Sequence, residues 1–427
     1  MKQVYIFDEG AEIAAVYGIG AYIRQVCECL KGKPDISLHV VRFCSEEKEF
    51  KKVESDGIRT CYFPNIQFPV KAESNRLRYY RNCWYLLRAH IQVGLQDELF
   101  FHLNYNQEYP LVALIKKTFP ESFIVFTIHC QDWCFKLNGN TSYFKRLIHA
   151  DKGLTNNKKE INVMKEYESE LELFQSVDRL ICLADYTRNL LIEEYSVSRD
   201  KMSMIYNGLK DEAKMLSPED RLQLKRNLFI GENTKIILFV GRLQEIKGIE
   251  FLIRAFKAVL QREPDAHLII AGSGAFSTYL SEAKGYWHKI TFTGRVEKDS
   301  LYRFYEVADI GVMPSLHEQC SYVAIEMMMH GIPLVGSTST GLCEMIEEGV
   351  TGLHVPVEEY PDRVEIDPDL LAEKMLYLLL HPEERKCMGD HARKRYETVY
   401  SAEIFRQNML DFYNILTLSH QNDKLRL

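Results

Sequence analysis

The chain has 427 residues, 46% of them hydrophobic and 26% charged, and a formal net charge of −7. That length exceeds what one hydrophobic core usually serves, so two domains are expected; the negative charge argues against a general nucleic-acid binder. Eleven scattered cysteines with no CxxC pair argue against a disulfide framework and suit a reducing compartment.

The first residues, "MKQVYIFDEG", contain no long apolar segment, so neither a signal peptide nor a membrane span is indicated and a cytoplasmic location is expected. Short apolar, β-rich runs then recur: "QVYIF" at 3, "LHVVRF" at 38, "ELFFHL" at 98, "FIVFTIH" at 123, "RLICLA" at 179 and "KMSMIY" at 201. Helix-period segments such as "GAYIRQVCECLKG" and "YPLVALIKKTF" lie between several of them, the grammar of parallel sheet with helices on both faces. The stretch "RLRYYRNCWYLLR" interleaves Arg76, Arg78, Arg81 and Arg88 with aromatics; it reads first as a partly buried helix with a cationic outer face, and alternatively as a surface for membrane or an acidic acceptor. The charged run "NNKKEINVMKEYESELELF" reads as a solvated helix face.

A polar stretch around residues 207 to 232 precedes a second series of runs: "KIILFVG" at 235, "HLIIAG" at 267, "ITFTG" at 290, "DIGVMP" at 309 and "IPLVG" at 332. We therefore expect domains over 1–207 and 208–395, with 396–427 a C-terminal helix packing back toward the N-terminal domain. Residues 1 to 210 are near neutral, whereas the remainder is acidic.

Several stretches could carry chemistry. In "VYGIGAYIRQV", Gly18 and Gly20 sit between the first strand and the first helix, where exposed amides could face an anion; as a bare GxG the signal is weak, and it reads first as a simple turn. His129 stands just past a strand end in "FTIHCQDWC"; a metal nest there would want a second ligand pair, which is missing. In "FVGRLQEIKGIEFLIRAF" a strand ends at Gly241, and Arg242 and Lys247 precede a helix, a place suited to a diphosphate. Taken alone, the pair reads as two surface cations. "IIAGSGAF" has Gly272 and Gly274 but Ser277 where a dinucleotide fingerprint wants a third glycine, so it reads as a tight turn allowing close backbone approach. Finally, "PSLHEQCSYVAIEMMMHGIP" holds Glu318 in a loop and Glu326 in the second turn of a helix beginning near Ser321, with helix N-terminal amides between them.

In this order the segments resemble the retaining glycosyltransferases of family 4. The C-terminal half carries most of the likeness, through "GRLQEIKGIEFLIRAF", "LIIAGSG", "FTGRV", "LYRFYEVADIGVMPSLHEQCSYVAIEMMMHGIPLVG" and "TGLCEMIEEGVTGLHVP"; "GIGAYIRQV", "TIHCQDW" and "MIYNGL" match more loosely. The resemblance implies an α/β GT-B fold, two Rossmann-like domains with parallel sheets facing each other across a cleft. It implies sugar transfer from a UDP- or GDP-sugar to a hydroxyl acceptor, with retention of configuration and without metal or other cofactor.

On this resemblance Glu326 would hold the ribose, and the backbone near Arg295 and Val296 would follow the base edge. Arg242 and Lys247 would neutralise the diphosphate, Glu318 would meet donor-sugar hydroxyls, and the amides of Cys320, Ser321 and Tyr322 would cap phosphates beside Gly241 and Gly272. Gly18 and Gly20 would approach the phosphates, and His129 the transferred sugar. The acceptor could be a glycan, a lipid-linked sugar, a peptide or a small molecule, with no nucleic acid involved and room for peripheral contact at the inner face of the membrane. Ser321 stands where many relatives have glycine, and Gly-Ile-Gly where a Gly-Gly pair is common. The rival readings are a nucleotide-sugar epimerase of the same fold, which would need acid and base carboxylates, and a non-catalytic binding subunit.

Overall fold

A computed structural model describes residues 1–10, 18–65, 73–150 and 157–424, the side chains of 73, 74 and 417–424 excepted. By contacts the chain forms two compact units: Met1–Asp132, Glu160–Tyr206 and Phe405–Leu427 make the first, Trp133–Lys159 and Asn207–Ile404 the second.

The first unit is built on an eight-stranded sheet of order β3-β4-β2-β1-β5-β6-β7-β8. Its strands are β1 (Lys2–Asp8), β2 (Ile36–Ser45), β3 (Lys51–Ser55), β4 (Ile58–Pro64), β5 (Glu98–Leu103), β6 (Phe123–Ile128), β7 (Arg179–Cys182) and β8 (Met202–Met204). β1 is buried along its whole length because it lies between β2 and β5, which explains its lack of polar alternation. The sheet is parallel except at one edge, where β3 runs antiparallel to β4. The expectation of purely parallel strands is corrected here. Asp56 and Gly57 both take positive φ (52° and 73°), the signature of a tight hairpin, and the "SDGI" sequence carries that signal.

From Phe405 onward the last helix, Ala402–Lys424, belongs to this unit. Tyr413 reaches His102 Nδ1 at 2.8 Å, and Lys2 Nζ donates to Asn414 at 2.7 Å.

The second unit has a wholly parallel six-stranded sheet, β11-β10-β9-β12-β13-β14, and a small antiparallel hairpin, β15-β16. The strands are β9 (Lys235–Val240), β10 (Ala266–Ala271), β11 (Ile290–Gly294), β12 (Ile310–Met313), β13 (Leu334–Ser337), β14 (Gly352–Val355), β15 (Val357–Glu359) and β16 (Val364–Ile366). The chain builds outward from β9 through β10 to β11, then returns to place β12 on the other side of β9. Such a reversal opens a crevice at the carboxyl ends of the two central strands, where doubly wound sheets bind ligands. The first unit has the same device between β1 and β5.

Residues 133–150 are N-terminal in sequence but join the second unit. Trp133 is fully buried and stacks on Phe144 (4.3 Å) in the helix Thr141–His149. Asn140 caps that helix through Tyr143 N–H and donates to the carbonyls of Tyr360 (2.7 Å) and Arg363 (3.1 Å) beside the β15-β16 hairpin, while the Glu359 carboxylate accepts from Thr141 and Ser142 N–H.

Candidate active site

At the reversal point of the second unit, two loops are sewn together. After β9, a single turn, Glu245–Lys247, leads to Gly248 and the helix Ile249–Arg262. Gly248 has φ 66°, and a Cβ there would lie 1.9 Å from the Pro314 carbonyl oxygen, so glycine is required on both counts. Leu316 N–H donates to Ile246 O at 2.8 Å. This approach of the loops after β9 and β12 brings Lys247 Nζ onto Glu318 Oε1 as an ion pair between largely shielded side chains. The alternative of two idle surface cations therefore fails for Lys247. Arg242 lies half-buried beside Gly241, and Gly272 approaches so closely that a Cβ would sit 1.8 Å from Gly241 O. Gly241 N–H donates to Ala271 O and Gly272 N–H to Gly294 O, lacing three strand ends. Arg295 is exposed and Val296 half-buried just past β11.

Glu318 is held from behind. Its N–H donates to Thr340 Oγ1 at 2.9 Å, the Thr340 hydroxyl donates to its carbonyl, and Gly341 N–H reaches that carbonyl at 2.9 Å. Thr340 takes φ 31°, a left-handed conformation that a β-branched residue adopts at a cost. The "TGLCEM" motif was legible but Thr340's backbone role was not, because it needs the folded proximity of β12 and β13. Trp133 was missed similarly: its ring meets His317 edge-to-face at 5.8 Å. Gly139 (φ 77°) lies so close that a Cβ would be 2.5 Å from Leu316 O. Burial lowers the His317 pKa to about 4, so this packed ring is neutral.

The helix Tyr322–Met329 follows. Ser321 is its N-cap, accepting Ala324 N–H at 3.4 Å, and its own N–H faces the Met345 sulfur at 3.3 Å. Its hydroxyl thus has a capping task. Cys320 is buried, with its thiol pushed up to about 12 by desolvation, and its carbonyl accepts from Asn207 of the "MIYNGL" motif at 2.7 Å. Tyr322 begins the helix. Glu326 accepts from Tyr305 OH at 2.7 Å; burial raises its pKa to about 6, partly offset by that hydrogen bond.

The first unit carries the remaining expected residues. Gly18 (φ 71°) is the N-cap of the helix Ile19–Leu30, and Gly20 falls inside its first turn, not in a loop; residues 11–17 lie outside the described residues. His129 follows β6. Its ring packs edge-on to Tyr22 at 4.7 Å, and burial takes its pKa down to about 3. Asn104 donates through Nδ2 to Phe7 O at 3.0 Å, which turns its Oδ1 toward His129 Nε2 at 3.3 Å. Nε2 therefore carries the proton of a neutral imidazole, and Nδ1 is the acceptor.

A cavity of about 1010 Å³ opens at the same strand ends, lined among others by Asn104, Tyr105, His129, Asp132, Arg76 and Glu170. Glu170 lies on the charged helix Lys158–Ser176, yet is buried, accepting from Asp132 N–H (2.6 Å), Asn106 (3.2 Å) and Tyr195 OH (2.7 Å). Reading that run wholly as a solvated face was wrong at this position: one stripe, with Val163, Leu173 and Phe174, faces the core. Glu9 and Glu108, also buried at these strand ends, have no distinctive local pattern. Among the described residues no group of three His, Cys, Asp or Glu is disposed to hold a metal ion.

Two doubly wound units, with a lysine–glutamate pair at one reversal point and a half-buried histidine lining a cavity at the other, have the features of a GT-B glycosyltransferase. Residues 16–213 match the family described as Glycosyltransferase Family 4, and residues 234–381 match Glycosyl transferases group 1. An uncharacterized glycosyltransferase of Methanocaldococcus jannaschii is 33% identical over 305 residues, 67% of this chain and 75% of its own. The D-inositol 3-phosphate glycosyltransferase of Corynebacterium diphtheriae is 31% identical over 232 residues, 52% of each chain. Among solved structures, sucrose-phosphate synthase of Thermosynechococcus elongatus shares the fold at TM-score 0.75 and 19% identity, covering 98% of this chain and 100% of its own. The Anabaena protein HepE, solved with UDP and glucose, does so at 0.70 and 16%, covering 97% and 99%. The chain belongs to glycosyltransferase family 4, and its fold is GT-B.

Proposed function

We propose that this glycosyltransferase moves a sugar from a UDP- or GDP-sugar to a hydroxyl acceptor, with retention of anomeric configuration and without a metal ion. The observation that carries the reading is the Lys247–Glu318 pair at the reversal point of the second unit's sheet. The family membership and the UDP bound by the Anabaena neighbour support it.

In this reading the anomeric carbon–phosphate oxygen bond breaks, its electron pair leaves with the diphosphate, and the acceptor oxygen bonds to the same face of the carbon. The acceptor proton passes to the departing phosphate oxygen. Lys247 and Arg242 stabilise the growing charge, a task a divalent ion performs in other transferases, and the amides of Cys320 and Tyr322 at the helix start add donors; the N–H groups of Gly241, Gly272 and Ser321 are committed to Ala271 O, Gly294 O and the Met345 sulfur, so the two glycines contribute close backbone approach and Ser321 the cap. Glu318 orients a sugar hydroxyl while balancing Lys247, Glu326 takes the ribose, and Arg295 and Val296 follow the base. On the first unit, Gly18 and Gly20 present helix-terminal amides, His129 offers a neutral imidazole to a sugar hydroxyl, and the cavity takes the acceptor. A cytoplasmic location belongs to the same reading; no helix among the described residues is long and apolar enough to cross a membrane.

The test is a screen of nucleotide sugars for binding and slow hydrolysis in excess chelator, with the configuration of the released sugar followed by NMR. One donor should bind and turn over with retention. A strict divalent-metal requirement, or an inverted product, would overturn the corresponding part of the proposal.

A further inference from the structure

Glu326 lies on the helix Tyr322–Met329 and is half-buried. Among the described residues its hydrogen-bonded side-chain oxygen is Oε2, which accepts from the Tyr305 hydroxyl of the helix Lys298–Val307 at 2.7 Å; Oε1 makes no such bond. Tyr305 is 1% exposed, and its ring is fixed before any ligand arrives. The His330 imidazole stacks on it at 5.0 Å and 26°, and Tyr302 meets His330 edge-on at 5.0 Å. His330 Nδ1 is in turn 2.8 Å from the Glu326 carbonyl oxygen, so contacts run from the helix backbone through two rings back to the carboxylate of the same residue. Burial raises the Tyr305 pKa well above the usual phenol range, which keeps its hydroxyl a donor. A buried tyrosine hydroxyl usually finds a hydrogen-bond partner; here that partner is a carboxylate with a proposed task of its own.

We propose that Tyr305 is a positioning residue for ribose recognition, its hydroxyl fixing the plane of the Glu326 carboxylate so that the 2′ and 3′ hydroxyls of a ribonucleotide are taken together. The proposal rests on the reading in which Glu326 takes the ribose. The terminal torsion of a glutamate is broad, so an untethered carboxylate spreads over many planes, whereas a vicinal diol needs both oxygens in one. A carboxylate has about four lone-pair sites. The Tyr305 hydroxyl fills one on Oε2 and leaves the other, with both on Oε1, to the ligand. A nucleotide lacking one hydroxyl leaves part of that half-buried acceptor unpaired, which is how a polar site rejects such an analogue. The hydroxyl also supports the carboxylate's charge. Lys298 and Glu212 act on Glu326 in opposite senses and are paired with each other, and Asp211 and Arg393, also paired, flank His330. Tyr302 is kept protonated by burial. Against these compensated or neutral groups, Tyr305 supplies the directed stabilisation.

The experiment is calorimetric titration of UDP and GDP, and of their 2′-deoxy counterparts, into the full chain and its Tyr305→Phe variant at stepped pH on both sides of about 6. Above that pH the parent should prefer the ribonucleotide by roughly tenfold, as expected for a hydrogen bond to a charged group. Tyr305→Phe keeps the stacked ring; it should bind the ribonucleotide roughly five- to tenfold more weakly and the 2′-deoxynucleotide almost as before, which narrows the preference. Having lost a hydrogen bond to the charged carboxylate, the variant should also show its rise in affinity at higher pH than the parent. In a Glu326→Ala chain the same substitution should alter neither readout. Equal losses for both nucleotides would make Tyr305 a packing residue only, and an unchanged preference with an unmoved pH step would leave it no part in binding; either result overturns the proposal. A parent that binds ribo- and 2′-deoxynucleotides alike overturns the ribose reading of Glu326 and this proposal with it, whereas a preference that survives in the variant overturns the proposal alone.

Discussion

Lys247 and Glu318 lie 71 residues apart in sequence and form one functional unit in space. Replacing either leaves a shielded charge without its partner and removes one contact to the proposed reacting groups. Lys247→Ala and Glu318→Ala should each cost about 2–4 kcal/mol of transition-state stabilisation, read as a fall in kcat/KM, with little change in melting temperature. The double variant should lose much less than the sum, because the two act as a pair; additive losses, or full activity in both single variants, would count against the assignment. Glu326 is read through pH. Its pKa, raised to about 6 by burial, makes it a charged acceptor with both oxygens open to ribose hydroxyls only above that value; below it one oxygen carries a proton and the weaker neutral acid remains. Nucleotide affinity should therefore rise as pH increases through about 6 and then level off, and the Glu326→Gln variant should show no such step in a binding titration. Lys247 and Glu326 were both legible as residues of interest. Thr340 was not, since its left-handed φ and its hydrogen bonds to the Glu318 backbone arise only in the folded chain and no local pattern announces them.

The site depends on two loops that touch only because glycine stands at their crossing. Gly248→Ala would bring a Cβ within 1.9 Å of the Pro314 carbonyl and strain a φ of 66°, at a cost on the order of 1–3 kcal/mol. The loops must part, taking Lys247 away from Glu318. Calorimetry should show a lower melting temperature and kinetics a lower kcat/KM; an unchanged kcat/KM would mean that the crossing does not position the pair. Strand existence was largely legible, because β1, β9 and β10 are apolar runs bounded by polar or turn residues. The β3-β4 hairpin was overlooked although Asp56–Gly57 signals it, since its edge strand is exposed throughout and lacks an apolar run. In the helix Lys158–Ser176, charge density hid a buried stripe that includes Glu170.

Across the whole molecule, carboxylates are buried at the carboxyl ends of the first unit's strands, where they tie folding to pH. Desolvation raises Glu9 to about 7 and holds Glu108 and Glu170 well above the usual carboxylate range, although hydrogen bonds oppose it at each. A carboxyl that holds its proton more tightly when folded costs stability as pH rises from its unfolded value near 4.5 through about 7. Glu9→Gln should therefore gain stability relative to the parent chain over that window, approaching roughly 3 kcal/mol at its upper end. Chemical denaturation at stepped pH checks this, and a difference independent of pH would refute it. Buried His102 and half-buried His129, both lowered to about 3, act in the opposite sense, weakening the fold below their ordinary range; only the difference between variant and parent isolates Glu9. The sequence by itself determined the alternation of strands and helices, the ordered motifs of family 4 and the cations near the strand ends, because these follow from local periodicity and turn chemistry. Tertiary structure alone decided which acid meets Lys247, which glycines permit the crossing, why residues 133–150 join the second unit, and which carboxylates are desolvated. Those outcomes depend on strand order and on contacts between distant segments, and a local pattern records which face a residue presents but not what will pack against it.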